Sequence, residues 1–406
     1  MFTIDTYTIT IIFSSVLILL ALLSSIVSPF FRKPKLSNTY NKGDVGDNND
    51  IIEDNTTSIN STENEKENIV EPPISIILTP NDDALALSKN LNKYLNQEYK
   101  EYEIIVVAPK GDVETEDILK TYANNPRLYV TFIPSTSKYM SRKKLAITLG
   151  AKAAKYKWLL ICDIFCAPQS EYWLSTLARN CKENVNIVAG FTNYDDDAPD
   201  FWRFEHFYMS CYLMREAQKG IAYAWNSNAL LFKKDEFLAE EGFRGNLKFV
   251  RGEFDFIVNK YAKKGSTVIE NSEDGTLIEE TPTYKHWTNK HLYYLEDRKH
   301  LKRSVKHRIP FYIDQLAVYI NYLFIIVALL YAIYTSNWII CIAAVFSLIA
   351  TIALRIFIGN KALALFNIDI PSWKIIPYEL RIIWQNLNYR IKYWRANKYD
   401  FISHKL

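Results

Sequence analysis

A single carboxylate stands where an apolar segment of the chain ends. Asp163 directly follows the run Trp158–Cys162, and Phe165 comes two residues later. Magnesium is held in proteins by one or two carboxylates, together with water and the phosphate oxygens of a substrate. Asp163 could therefore hold a divalent ion with water and phosphate completing the shell, or it could only cap the turn that follows.

Zinc, redox chemistry and nucleic acid fit the composition poorly. Two of the five cysteines, Cys162 and Cys166, flank Asp163, but the sequence contains no Cys-x-x-Cys pair. We interpret them as small buried residues in a reduced setting. The formal net charge of +3 is too small to favour a nucleic-acid partner,.

The elements that must position Asp163 alternate between strand and helix. Apolar, β-branched runs predict strands, and stretches with helical spacing separate them. The predicted strands are 74–79, 102–108, 128–133 and 158–163, and the predicted helices between them are 83–97, 115–123 and 141–156. This alternation predicts an α/β fold with a doubly wound, mostly parallel sheet.

Sheets of this kind bind ligands beyond the carboxyl ends of their strands. Asn81 and Asp112 follow the first two predicted strands, as Asp163 follows the fourth. We therefore expect Asn81 and Asp112 to contact a substrate near Asp163. The sequence has no Gly-x-Gly-x-x-Gly or Walker motif, which disfavours the phosphate-binding nucleotide folds,.

These segments resemble a known family. The order ISIIL, LSKNLNKYLNQEYKEYEIIVV and SRKKLAITLGAKAAKYKWLLICD is similar to the nucleotide-binding half of the family 2 glycosyltransferases, which have the GT-A fold. FWRFEHFYMSCYLMREAQKGIAYAWNSNALLFKKDEF resembles the acceptor-side segment of the family, and EGFRGNLKFVRGEFDFIVNKYAKKG resembles its Gly-acid-acid segment. The resemblance covers roughly residues 74–310 and implies sugar transfer from a nucleotide sugar.

The resemblance also implies roles for the acidic residues. Family members supply an Asp-x-Asp pair for a divalent cation, Mg or Mn, and this chain has Asp163 followed by Phe165 there. In the Gly-acid-acid segment, Glu253 is followed by Phe254 and then by Asp255. The resemblance therefore implies that Asp163 holds the metal and that Asp255 or Glu253 is the catalytic base of an inverting displacement.

Substrate contacts are expected on both sides of this centre. Lys144 lies in the predicted helix 141–156, the most distinctive part of the resemblance, and is expected to bind substrate. Tyr223, Trp225 and Asn228 lie in the loop that resembles the acceptor region, where aromatic rings offer flat faces for a sugar,. Packing in the core is the alternative for both rings, because core aromatics are commoner than sugar platforms.

Two hypotheses about function follow from the positions at which this chain differs from the family pattern. Phe165 and Phe254 stand where the family has carboxylates, and Ala108-Pro109 stands where acidic residues hold the nucleotide base. In the first hypothesis, a membrane-bound glycosyltransferase moves a sugar from a nucleotide sugar to a lipid-linked or surface-glycan acceptor. In the second, the chain is a catalytically inactive scaffold or binding subunit among the partner proteins of a glycan-assembly complex. Under the first hypothesis, the candidates for substitute cations are Lys285, Lys290 and Arg298,.

Three apolar stretches predict transmembrane helices, at residues 8–31, 313–334 and 338–358,. Basic residues flank the same side of all three. The positive-inside bias then places the amino terminus outside and the domain 74–308 in the cytosol, in a multi-pass protein of the plasma (inner) membrane. Two spans after the domain are few for a synthase that exports a polymer.

Two further segments complete the expected organisation. Residues 36–73 are rich in Asn, Asp, Glu, Ser and Thr, which predicts a disordered tether,. Residues 371–395 have apolar residues at three- and four-residue spacing among arginines and lysines. This pattern predicts an amphipathic helix in the headgroup layer, although a helix packed on the soluble domain would show the same spacing.

Overall fold

The structure is a computed structural model that describes residues 6–31, 34–37, 71–81, 83–134 and 141–402 of the 406-residue chain. Residues 38–70 of the expected tether lie outside the described residues. The strands are β1 (Ile74–Leu78), β2 (Tyr102–Pro109), β3 (Leu128–Ile133), β4 (Trp158–Cys162), β5 (Cys166–Pro168), β6 (Ile187–Tyr194), β7 (Ala229–Lys233), β8 (Thr267–Glu270) and β9 (Thr276–Glu279). The helices are α1 (Thr6–Ile26), α2 (Ala84–Leu95), α3 (Val113–Thr121), α4 (Arg142–Ala153), α5 (Trp173–Ala178), α6 (Asp200–Lys219), α7 (Lys234–Ala239), α8 (Glu253–Tyr261), α9 (Tyr284–Asp297), α10 (Ser304–Tyr334), α11 (Trp338–Leu365) and α12 (Ile375–Arg395). Short 3-10 turns, Ser372–Lys374 and Lys398–Phe401, flank α12.

The strands form a curled sheet in the order β3-β2-β1-β4-β7-β6-β9-β5, with β8 beside β6. β1 is parallel to β2 and β4, and β2 is parallel to β3, which confirms the predicted α/β organisation of this half. β7 runs antiparallel to both β4 and β6, so the sheet is mixed. Leu78 pairs with Cys162, and the segments after β1 and β4 therefore leave the same edge of the sheet.

Helix α4 packs closely on β1 and brings its first turn to this edge. A methyl group added at Gly150 would lie 2.6 Å from Cγ2 of Ile77, so a larger residue would push the helix away. Ile77 belongs to the core between the sheet and helices α4 and α6, and the other face of the sheet packs on α2 and α5. This close contact fixes the position of Lys143, which lies in the first turn of α4.

Helices α1, α10 and α11 pack against one another, and each is long and apolar enough to cross a membrane. Nδ2 of Asn337 donates a hydrogen bond to Oγ1 of Thr10 near the turn between α10 and α11, at 2.7 Å. At the other end of the bundle, Arg355 donates to the carbonyl oxygen of Ser24. α1 therefore runs parallel to α11, and the α/β domain is attached at the end that contains Ser24.

The bounds of the predicted spans and tether differ from the structure in four places. α1 ends at Ile26, and Phe30 packs edge-on against Phe204 and Tyr208 in the core of the α/β domain. Ser37, in the range expected to be a tether, donates from its hydroxyl to the carbonyl oxygen of Ile269 at 3.0 Å. α10 begins before the predicted residue 313 and α11 ends after the predicted residue 358. The bundle and the domain are thus joined more closely than the sequence pattern indicated.

Helix α12 has two different faces. Ile375, Ile382 and Tyr389 are buried against the rest of the protein. Leu387 and Trp394, which belong to the predicted headgroup-facing stripe, are exposed. The helix therefore packs on the protein with one face and presents a second apolar face outward.

A buried ion pair joins α12 to the bundle. Arg355 of α11 donates from Nε and Nη2 to the two carboxylate oxygens of Glu379, at 2.6 and 2.9 Å. Asp314 of α10 lies 3.7 Å from Arg355 and accepts a hydrogen bond from the hydroxyl of Tyr208 in α6. These charged side chains are almost completely buried. The contacts hold α6, α10, α11 and α12 together where the bundle meets the domain.

Candidate active site

A cavity of about 660 Å³ lies beyond the carboxyl end of β4 and extends toward the apolar bundle. Residues after β4, the first turn of α4, the segment 250–255, α6 and α9 form its walls. Residues at the start of α10 and in the middle of α12 complete it. One cavity thus connects the predicted catalytic centre with the elements nearest the bundle.

Asp163 lines this cavity and is paired with Lys143, a residue that the sequence did not single out. Nζ of Lys143 lies 2.6 Å from Oδ2 of Asp163, and the two side chains are 15% and 22% exposed. Burial raises the pKa of Asp163, but the Lys143 ammonium and the Arg251 guanidinium outweigh it and lower that pKa to about 2. Asp163 is therefore an anion at any physiological pH, and basic side chains of the chain balance its charge.

The side chains around Asp163 do not fit a divalent-ion site. The ring of Phe165 packs edge-on against His286, and the Lys143 ammonium lies 5.6 Å from the centre of the Phe254 ring. Magnesium requires oxygen ligands in near-octahedral geometry, and neither phenylalanine offers one. Within the ranges that the structure describes, no group of three His, Cys, Asp or Glu side chains is placed to hold a metal. An ammonium is thus a better partner for Asp163 here than a divalent ion.

Asp255 has the environment of a general base. It lines the cavity, and its Oδ1 accepts a hydrogen bond from the backbone N–H of Trp225 at 2.9 Å. Burial, helped by the nearby Glu253 carboxylate, raises the pKa of Asp255 to about 7 against the opposing effect of that N–H. A carboxylate with a pKa near neutrality is about half ionised at neutral pH, and it is basic enough to accept a proton in a transition state.

Glu253, the alternative base, lies in the first turn of α8 and also lines the cavity. The side chain is buried, and its Oε1 has no hydrogen-bond partner among the residues that the structure describes. Its negative charge contributes to the raised pKa of Asp255. Both carboxylates therefore lie in the cavity wall, and the raised pKa belongs to Asp255.

The turn before α8 requires a glycine. Gly252 has φ of 89°, in the left-handed region, and a Cβ there would lie 2.5 Å from Oδ2 of Asp297. Asp297 is buried at the end of α9, and burial raises its pKa. The close approach of α9 to this turn fixes the start of α8, and with it Glu253 and Asp255.

Lys144 was predicted to bind substrate, and the structure gives it a different position. Its side chain is fully buried, and its ammonium donates to the carbonyl oxygens of Asn246, Phe249 and Arg251 at 3.1, 2.7 and 2.8 Å. Lys144 therefore holds the segment that leads into Gly252. Its neighbour Lys143, about 100° away around the helix, is the lysine in the cavity wall,.

Asp112 and Asn81 also lie outside the cavity wall. Asp112 accepts a hydrogen bond from the backbone N–H of Thr115 at 3.2 Å and from its hydroxyl at 2.7 Å, so it caps α3. Asn81 is exposed after β1. The cavity lies at the carboxyl edge of the sheet as Asp163 does, but neither of these two residues lines it.

The three predicted acceptor-side residues do line the cavity. The ring of Tyr223 stacks on that of His307, with centroids 5.0 Å apart. Trp225 is buried and its indole N–H donates to the carbonyl oxygen of Gly190 at 2.9 Å. Trp225 is thus a core aromatic whose backbone positions Asp255, while Tyr223 and Asn228 contribute polar atoms to the wall.

A second ion pair occupies the wall next to Asn228. Nζ of Lys290 lies 3.1 Å from Oε2 of Glu279 and donates to the hydroxyl of Tyr194 at 3.1 Å. Nδ2 of Asn228 donates to the same Glu279 carboxylate at 2.9 Å. Burial lowers the pKa of Lys290, but Glu279 more than reverses this and raises it overall. Lys290 is therefore charged, and Glu279 already balances that charge.

His291 ties α9 to α6 and α12. Its Nε2 lies 3.2 Å from Oε2 of Glu205, and its ring stacks on Tyr389 with centroids 4.2 Å apart. Nδ1 lies 2.8 Å from the carbonyl oxygen of Trp287. The basic, aromatic composition of this stretch was visible in the sequence, but nothing in it indicated contact with α12.

The part of the cavity nearest the bundle is aromatic and basic. The ring of Phe311 in α10 lies edge-on to Tyr208 and Tyr212 of α6, with centroids 6.1 and 5.4 Å away. Arg308 of α10 and Arg390 of α12 line the same region. These residues suit a ligand that combines an apolar portion with an anionic group.

Comparisons with known proteins concern the fold of the α/β domain. Residues 75–237 match the family model described as Glycosyl transferase family 2. No curated protein matches the chain. The mannosyltransferase PcManGT from Pyrobaculum calidifontis, solved with GDP-Man and Mn2+, is 16% identical, with 82% of this chain and 88% of that chain covered and a TM-score of 0.51. TarS residues 1–349 from S. aureus, solved with UDP-GlcNAc, is 12% identical, with 57% and 67% covered and a TM-score of 0.39. The first likeness shows that the α/β domain has the expected GT-A fold.

Proposed function

Residues 75–237 match the family model described as Glycosyl transferase family 2, and on that premise we propose that the protein is a membrane-bound enzyme that transfers a sugar from a nucleotide sugar to a lipid-linked acceptor. The observation that carries the proposal is the single cavity that joins Asp163 and Asp255 to α10 and α12. Its domain end holds charges suited to a nucleoside diphosphate. Its other end is aromatic and basic, next to helices long and apolar enough to cross a membrane.

Asp255 accepts the proton of the acceptor hydroxyl as the acceptor oxygen attacks the anomeric carbon of the sugar. The bond between that carbon and the diphosphate oxygen breaks, and the nucleoside diphosphate leaves with the electron pair. Attack opposite to the leaving group inverts the anomeric centre. The pKa of Asp255 near 7 supports this role, because the carboxylate is both available and basic enough at neutral pH.

The acceptor end of the cavity supports a substrate held by the membrane. Arg308 and Arg390 can contact a phosphate that links a sugar to a lipid, while Tyr208 and Phe311 cover apolar atoms,. The lipid tail then stays in the bilayer beside α10. In this arrangement the catalytic domain faces the cytosol, where nucleotide sugars are made, and the amino terminus lies outside the plasma membrane.

The test uses the full chain in lipid nanodiscs with radiolabelled nucleotide sugars and a lipid extract from the expression host. We expect one donor to label a product that partitions into organic solvent. Asp255→Asn should lower the rate about 10²- to 10⁴-fold, as loss of a general base does. Asp235→Asn, at an exposed position in the first turn of α7, is the matched control and should keep the rate.

Other outcomes assign the chain differently. Label that enters a water-soluble glycan instead of a lipid would replace the lipid-linked acceptor with a surface-glycan acceptor. Failure of the folded wild-type protein to transfer label from any donor would favour the inactive scaffold. Equal rates for wild type and Asp255→Asn would remove Asp255 from the mechanism.

A further inference from the structure

The domain end of the cavity already contains a cation at the carboxylate that would be expected to hold a metal. Nζ of Lys143 lies 2.6 Å from Oδ2 of Asp163, within hydrogen-bond distance. Both side chains line the cavity and are only slightly exposed, so water screens their interaction weakly,. The pair is therefore a persistent part of the wall.

A divalent ion at Asp163 would have to compete with this ammonium. Magnesium binds oxygen at about 2.0–2.1 Å, which would bring the ion and the Lys143 ammonium into repulsive contact at one carboxylate. Phe165 and Phe254, which flank the pair, supply no further ligand oxygen. Phe254 instead adds a favourable cation–π contact with the lysine, whose ammonium lies 5.6 Å from the centre of its ring,.

Arg251 provides a second positive charge at this end. Its side chain is exposed in the cavity wall, and its guanidinium is close enough to Asp163 to stabilise that carboxylate electrostatically. Its backbone carbonyl is held by Lys144, which fixes the base of the side chain. An arginine can bind phosphate oxygens through two parallel hydrogen bonds, and a lysine can bind them as a point charge.

We propose that Lys143 and Arg251 neutralise the diphosphate of the nucleotide sugar directly, so that donor binding requires no divalent cation. In this arrangement Asp163 is a positioning residue that holds the Lys143 ammonium toward the cavity. The inference rests on the proposed function, since it concerns the donor of that same reaction. It assigns to two basic side chains the charge neutralisation that a metal would otherwise supply.

The experiment is isothermal titration of the full chain in nanodiscs with UDP, GDP, ADP, CDP and dTDP, each in EDTA and in MgCl2 or MnCl2. We expect at least one nucleotide to bind with Kd values that agree within about threefold in the two conditions. Lys143→Gln and Arg251→Gln should each weaken that binding by about tenfold or more in EDTA. Lys143→Arg should retain most of the affinity.

Lys152→Gln is the control, because Lys152 is exposed in the last turn of the same helix and should bind as wild type does. Arg251→Gln keeps the test decisive if Lys143→Gln misfolds, since Arg251 is exposed. Binding that requires Mg2+ or Mn2+ would overturn the inference and leave the proposed function standing. Unchanged affinity in both glutamine variants would also overturn it. Absence of binding to every nucleotide in every condition, by a folded protein, would overturn the proposed function as well.

Discussion

The protonation of Asp255 sets the pH range in which the proposed enzyme can work. A general base must be deprotonated, and burial raises the pKa of this carboxyl to about 7. The deprotonated fraction is therefore small at pH 5.5 and nearly complete at pH 8.5. We expect kcat/KM to rise about tenfold per pH unit below pH 7 and to level off above it, measured from initial rates between pH 5 and 9.

Glu253→Gln tests why the pH profile of kcat/KM should have its midpoint near pH 7. The negative charge of Glu253 contributes to the raised pKa of Asp255, so its removal should move the midpoint to lower pH. A profile that is flat from pH 5.5 to 8 in the wild type would indicate a base with an ordinary carboxyl pKa. A midpoint that Glu253→Gln leaves in place would exclude the proposed tuning.

Gly252→Ala should shift the backbone at the start of α8 from its native position. The alanine would need a left-handed backbone, and its Cβ would lie 2.5 Å from Oδ2 of Asp297. Gly111→Ala is the matched control, because Gly111 has a similar φ of 93° and no atom within 4 Å of the added Cβ. We expect both variants to lose about 1–3 kcal/mol through backbone strain, and only Gly252→Ala to lose most of its activity as well. Equal activity of the two variants, measured beside thermal unfolding, would contradict this account.

The sequence pointed to some of the residues that line the cavity and not to others, for identifiable reasons. Asp163 and Asp255 could be found because they follow a strand and precede a helix in a recognisable segment. Lys143 and Lys144 are adjacent, and only the packing of α4 on β1 decides which of them faces the cavity. Arg251 gave no signal, because the segment before α8 has no periodic pattern. A residue could be predicted to line the cavity where its position along the backbone is enough to place it there. It could not be predicted where tertiary packing decides which side chain faces the cavity.

At the scale of elements, the Arg355–Glu379 pair connects the apolar bundle to α12. Removing one partner of a buried ion pair leaves an uncompensated charge and costs about 3–5 kcal/mol. We therefore expect Glu379→Gln to lower the Tm of the full chain markedly. The exposed pair Lys120–Asp117 provides the comparison, since Asp117→Asn should cost less than about 1 kcal/mol,. Thermal unfolding followed by tryptophan fluorescence measures both, and similar small shifts for both variants would mean that the buried pair does not hold α12.

Some secondary-structure elements could be predicted from the sequence, and others depend on tertiary contacts. β1, β2 and β4 are mostly apolar runs and were predicted within about one residue of their observed ends,. β5 has three residues and exists because β9 pairs with it, so no local pattern could reveal it. The buried face of α12 includes Glu379 and two tyrosines. Because these side chains carry polar atoms, the spacing of apolar residues in the sequence did not indicate that face.

For the molecule as a whole, we propose that the outward face of α12 lies in the headgroup layer beside the spanning helices. Leu387, Trp384 and Trp394 are exposed on this face, next to arginines and lysines of the same helix,. A polarity-sensitive dye on Leu387→Cys in proteoliposomes should shift to the blue and be quenched by doxyl-labelled lipid. The same dye on Asp117→Cys, an exposed site on α3, should respond to neither, after correction for labelling of the native cysteines. Equal responses at the two sites would place this face of α12 in water.

The position of α12 also matters for how the protein is made. It is the last α-helix of the described chain to leave the ribosome, yet it supplies one wall of the cavity and the carboxylate that pairs with Arg355. A nascent chain that stops before residue 375 would carry a glycosyltransferase domain with an open acceptor side and a buried arginine lacking this partner. We therefore expect such an interrupted product to be less stable than the full chain and to lack one wall of the cavity,.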